Sequence, residues 1–135
     1  MRRTIPVVFG LGLALILVLV SVTSARPQNQ NTRSAFMRQK LDLAKNMLEG
    51  LSLENFDLIE KNAKGMKRLS MAAEWEVPTV PHLEEYLPQT TEFQRHCDEI
   101  LKAAQAKNID AATLGYVKLT TNCVGCHKYV RANSQ

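Results

Sequence analysis

Beyond about residue 35 the apolar residues recur at helical intervals. From Phe36 they fall at Met37, Leu41, Ala44, Leu48 and Leu51, steps of 4, 3, 4 and 3 that line one side of a helix. A second stripe, Leu53, Phe56, Ile59, Ala63, Met66, Leu69 and Ala73, predicts another. Gly50 suits the end of the first helix, and Ser52 the cap of the second. Pro78, Pro81 and Pro88 all lie within residues 76–89, which read as one long connection. A third stripe, Phe93, Cys97, Ile100 and Ala104, follows Thr90 or Thr91 as a cap and ends near Asn108. Asp110 is placed to cap a fourth helix, with Ala112, Tyr116, Leu119, Cys123, then Cys126 or His127, and Val130 on one face. Nothing after the first 25 residues alternates with a period of two, so strands are not expected. Four helices joined by short, long and short connections predict an all-α, antiparallel up-down four-helix bundle over residues 35–135.

The opening of the chain follows a different pattern. Arg2 and Arg3 precede an almost wholly apolar run from Ile5 to Val20, and Thr23-Ser24-Ala25 ends it on a small residue. That is the layout of a signal peptide over residues 1–25, which places the protein in the periplasm. The alternative is an uncleaved membrane anchor, since Ile5 to Val22 spans 18 residues. Residues 26–34, polar throughout apart from Pro27, read as a flexible tether.

Composition narrows the function. A chain of 135 residues, 45% hydrophobic, holds one ordinary domain and excludes a multidomain enzyme. Its net charge of +4 falls to +2 without residues 1–25, which hold two arginines and no acid. No run of Lys and Arg interleaved with aromatics remains to follow a phosphate backbone, so nucleic acid is excluded as a partner. No acid-base pair or activated nucleophile is visible, so a substrate-transforming enzyme is not expected.

The sharpest motif is Cys123-Val124-Gly125-Cys126-His127, the C-x-x-C-H pattern of covalent haem c attachment. On a helix, Cys123, Cys126 and His127 stand at i, i+3 and i+4, one face. Two thiols can therefore add to the two vinyl groups of one porphyrin while the imidazole reaches the iron. The other readings of the motif are a vicinal disulfide, or part of a zinc site needing a fourth ligand from Cys97, His82 or His96. They make the chain a haem-free zinc or thiol-redox helical module.

With only eight residues after His127, a cytochrome whose methionine ligand lies far downstream cannot be built. At residues 123–127, at Arg38-Gln39 and at Arg131 the chain resembles the class II c-type cytochromes, the cytochrome c prime group. Val130 directly precedes that arginine, where the family often has tyrosine. The resemblance implies an exported four-helix bundle with one covalently bound haem, Cys123 and Cys126 as anchors and His127 as proximal iron ligand. It further implies a distal position filled from the first helix in electron carriers and open to nitric oxide or carbon monoxide in gas-binding members. It also leaves a homodimer through the first two helices open.

In an up-down bundle the start of the first helix is level with the end of the fourth, which makes Met37 the expected distal ligand. Met47 is ten residues further on, about 15 Å along the axis. Met66 and Met71, near the end of the second helix, return to the right height. His82 reads as a turn residue, His96 as a partly exposed surface residue and Cys97 as a small buried hydrophobe. Trp75 and Tyr86 read as a cap over the bundle end. Lys61, Lys64, Lys67 and Arg68 on the outer side of the second helix, with further lysines on the later helices, read as a solvated face or a docking surface for an acidic redox partner. The expected function is one-electron transfer at iron.

Overall fold

The computed structural model describes residues 28–73 and 83–133, and its side chains from Arg33 onward. The chain divides into two units, Met1–Thr32 and Arg33–Gln135; Gln28–Thr32, the described part of the first, is helical. The elements are α1 (Gln28–Ser52), α2 (Phe56–Ala73), α3 (Leu83–Gln105) and α4 (Ile109–Ala132). Among the described residues there is no strand, as the helical spacing predicts. None of these helices is long and apolar enough to cross a membrane. The expected signal peptide lies outside the described residues, as do Trp75, Pro78, Pro81 and His82.

Cross-helix contacts fix the directions. Between α1 and α2, Asn46 Nδ2 donates to Asn62 Oδ1 (3.5 Å), and Leu43 lies against Gly65. Lys67 pairs with Asp98 across α2 and α3 at 2.7 Å. Asn122 Nδ2 donates to the Gln89 carbonyl (3.1 Å), and Lys118 pairs with Glu99 (3.6 Å), joining α3 to α4. Tyr116 Oη donates to the Ala44 carbonyl at 3.2 Å and ties α4 to α1. Along α3 and α4 the partner number falls as the residue number rises, the mark of antiparallel neighbours. The interior holds Met47, Leu51, Ile59, Ala63, Met66, Phe93, Cys97, Ile100, Ala104, Ala112 and Leu119.

The stripes of α2, α3 and most of α4 are the buried ones, but that of α1 is not. Met37, Leu41 and Leu48 are exposed, and the buried side of α1 runs through Leu43, Ala44, Met47, Gly50 and Leu51, with Lys40 half-buried above them. Two apolar rows lie side by side on this helix, Met37-Leu41-Leu48 and Leu43-Met47-Leu51. Spacing alone cannot choose between them; the fit against α2 does. Leu53 is likewise exposed in the turn, and Val130 is exposed at the end of α4.

The helix boundaries moved for identifiable reasons. Residues 28–34 of the expected tether begin α1, because propagating a helix from a packed segment adds one hydrogen bond per residue fixed. Gly50 lies inside α1, and Ser52 Oγ bonds back to the Leu48 carbonyl (2.9 Å) instead of capping α2. The cap is Asn55, whose Oδ1 accepts from the Leu58 amide at 3.0 Å. The α3–α4 junction repeats this design: Asn108, not Asp110, caps α4 by accepting from the Ala111 amide at 2.9 Å. In both turns the residue before the cap is left-handed, Glu54 at φ 51° and Lys107 at φ 53°. In both, the cap amide reaches back five residues, Asn55 to the Gly50 carbonyl (2.8 Å) and Asn108 to the Ala103 carbonyl (2.9 Å).

At the other end α3 starts earlier than expected, so Tyr86, Pro88, Thr90 and Thr91 are helical. Pro88 sits in the second turn, where it removes one amide from the ladder. Thr90 and Thr91, expected as caps, turn their hydroxyls back to the Tyr86 and Leu87 carbonyls at 3.4 and 3.1 Å.

Candidate functional site

The last three turns of α4 carry Cys123, Cys126 and His127. Cys123 and Cys126 are half-buried and free, at the seam facing α1 and α3, while His127 is exposed. Among the described residues the His127 imidazole has no hydrogen-bond partner, so its nitrogens are available to a metal. Gly125 stands on the outer side, and a Cβ built on it would meet nothing within 4 Å.

Burial raises the pKa of both motif thiols; the Lys40 ammonium, reaching in from α1, opposes that rise at each. Lys40 itself is pushed down from the usual lysine value by desolvation, against the pull of Cys123, Cys126 and Cys97. Its Nζ lies 4.6 Å from the centroid of the Phe93 ring, a cation–π contact. Cys97, as expected, is a buried small hydrophobe: desolvation raises its thiol to about 12, so it stays protonated and unreactive at neutral pH. Lys40, Phe93, Cys97, Cys123 and Cys126 therefore form one cluster between α1, α3 and α4. Sequence reasoning missed Lys40 because a lysine among polar neighbours reads as surface. The available signal was its position, three and seven residues before Leu43 and Met47, on their face.

The expected distal residues are placed less uniformly. Met37 is 41% exposed and Met71 is 50% exposed, while Met47 and Met66 are buried in the core. His96, expected at the surface, is 8% exposed and lies between two carboxylates, Nδ1 3.3 Å from Glu99 Oε2 and Nε2 3.8 Å from Glu92 Oε2. It is drawn in because it neighbours Phe93 and Cys97 on the buried side of α3. Arg38 and Arg131 are exposed. Gln39 lies elsewhere, lining a groove of about 530 Å³ between α1 and α2 with Asp42, Asn46, Gly65, Arg68 and Leu69.

Of the basic row on α2, Lys64 pairs with Glu60 and Lys67 with Asp98, which takes two of its four charges into ion pairs. Among the described residues no group of three or more His, Cys, Asp and Glu converges as a metal site. A haem makes a smaller demand on the chain: two free thiols and one free imidazole on adjacent turns of a helix. Cys123, Cys126 and His127 meet that demand in residue type and spacing.

No family model matches the chain, and no curated protein or solved structure is similar to it.

Proposed function

We propose that this protein is an exported, periplasmic c-type cytochrome carrying one covalent haem and moving single electrons to and from a redox partner protein. The observation that carries this reading is the pair of free, half-buried thiols, Cys123 and Cys126, with the unpartnered imidazole of His127 on the same end of α4. Cys123 and Cys126 hold the macrocycle as thioethers, and His127 supplies the proximal ligand. The distal ligand comes from α1, for which the residue expected from the sequence is Met37. When bound, the haem supplies a one-electron couple at iron; the chain's part is to anchor it, keep water from it and so tune its potential.

Intact-mass spectrometry of protein matured in a haem-attaching host tests this. One added haem, lost in the Cys123→Ser, Cys126→Ser double variant, is the expected result. A colourless product of unmodified mass leaves an exported helical bundle in which the same thiols serve zinc or disulfide chemistry.

The exposure of Met37 favours a second reading on the same fold. If α1 offers no ligand, the iron is five-coordinate and takes nitric oxide or carbon monoxide. A high-spin oxidised spectrum selects this reading, and a low-spin one the carrier.

A further inference from the structure

Resting on the haem reading, we propose that Lys40, not Met37, is the residue of α1 that takes the distal axial position on the iron. Three observations converge on it. First, Lys40 is half-buried with its Nζ 4.6 Å from the Phe93 ring, against the same core on which Cys97 and Cys123 pack, whereas Met37 stands on the exposed flank with Leu41 and Leu48. The two residues differ by three positions, about 60° around the helix, so bringing Met37 inward means turning α1 against its packing on α2. That packing is tight: a Cβ on Gly65 would already stand 3.1 Å from Leu43, the neighbour of Met47 on the buried row.

Second, among the described residues Lys40 pairs with no carboxylate, although nearly every other half-buried charge of the bundle is paired. Lys67 has Asp98, and Glu60 has Lys64. A half-buried amine held only by an aromatic face and three thiols lacks a strong partner. An iron centre provides one. Third, burial disfavours the charged ammonium at this position, because desolvation lowers its pKa. Forming the bond releases one proton from the Lys40 ammonium to solvent and adds the nitrogen lone pair to the metal; no electron is transferred.

The iron and its ligand field report directly on this. The haem-loaded protein is compared with Lys40→Ala, Lys40→Arg and Met37→Ala by intact mass, optical spectroscopy and electron paramagnetic resonance of the oxidised form. Arginine keeps the charge and the contact with Phe93 but does not give up a proton to ligate, so it separates coordination from charge pairing. The expected wild type is low-spin and lacks the far-red band of methionine sulfur on ferric iron. Both Lys40 variants lose the low-spin signal and gain carbon monoxide binding when reduced, and Met37→Ala changes neither.

The proposal is overturned if the sulfur band is present and vanishes in Met37→Ala. A wild type that is already high-spin also overturns it. So does retention of the wild-type spectrum by Lys40→Arg, which would assign the lysine to a haem carboxylate. Absence of added haem mass in the wild type is the separate result that removes the haem reading itself, and this proposal with it.

Discussion

At one end of the bundle Gly50, Leu51, Ile59, Ala103 and Ala112 close around two turns of the same design, each with a left-handed residue and an asparagine cap. At the other end Met37, Met71, Leu87 and Val130 are exposed, Lys40 lies half-buried with no carboxylate partner among the described residues, and two free thiols are half-buried. The first end satisfies its own backbone and fills its own interior, so it needs nothing from outside. The second leaves apolar side chains exposed among the described residues, surface that an anchored macrocycle would cover. A closed, well-packed end and an open end thus face each other along the bundle axis, and each can be tested by itself.

The largest contrast is in side-chain truncation. Met47 is fully buried near the closed end, and Met47→Ala is expected to cost about 2–5 kcal/mol. Met37→Ala in the haem-free chain is expected to cost less than about 1 kcal/mol, because the residue is already 41% exposed. Denaturant midpoints at constant m-value measure both. Equal costs would mean that the open end is as fully packed as the closed one.

A pH effect comes next in size and reports on the interior beside the open end. Cys97 titrates near 9.0 when unfolded and is raised to about 12 by burial in the fold. Between those values the native chain holds a proton that the unfolded chain has lost, so stability falls as pH rises through this window and is untouched below it. The slope approaches about 1.4 kcal/mol per pH unit. Urea unfolding of haem-free protein at pH 7 and pH 10 is expected to show a loss that Cys97→Ala reduces, the remainder coming from Cys123 and Cys126, whose thiols burial also raises. A wild type and variant with the same alkaline slope would show that the thiol reaches solvent.

Gly115 gives a smaller but sharper probe of how closely the interior is filled. A Cβ there would lie 2.8 Å from Ile100 Cγ1, so Gly115→Ala forces α3 and α4 apart or Ile100 off its rotamer. We expect destabilisation of about 1–2 kcal/mol, as overpacking exceeds the gain in helix propensity. Thermal unfolding that shows no loss would place the two helices further apart than their contact here.

How much of this was legible depends on what fixes each feature. The stripes Ile59-Ala63-Met66 and Phe93-Cys97-Ile100-Ala104 stood alone on their helices, so period and burial agreed. On α1 two apolar rows competed, and only the packing of Leu43 on Gly65 decides for Met47 over Leu48. The caps were missed by a few residues because Ser52 and Asp110 are as good cap formers as Asn55 and Asn108. What selects the asparagines is the left-handed residue preceding each, a conformation written in neither Glu54 nor Lys107. At the site, the spacing of Cys123, Cys126 and His127 was readable because it is local. The approach of Lys40 to them was not, since it joins residues more than eighty positions apart.

The smallest effect is at Gly125, and its sign is opposite to that at Gly115. A Cβ on Gly125 meets nothing, and the residue lies in the interior of α4, so Gly125→Ala in the haem-free chain exchanges a flexible helical residue for the best helix former. A gain of about 0.5–1 kcal/mol is expected by chemical unfolding. The same substitution in haem-loaded protein carries the finer information. Gly125 stands on the outer side of α4, away from the seam that Cys123 and Cys126 face, so a macrocycle held by those sulfurs leaves the added methyl in water and the gain persists. A gain in the empty chain that becomes a loss in the loaded one would mean that the haem, or the partner that exchanges electrons with it, comes to rest against the outer face of α4, and the open end would then be closed from the opposite side.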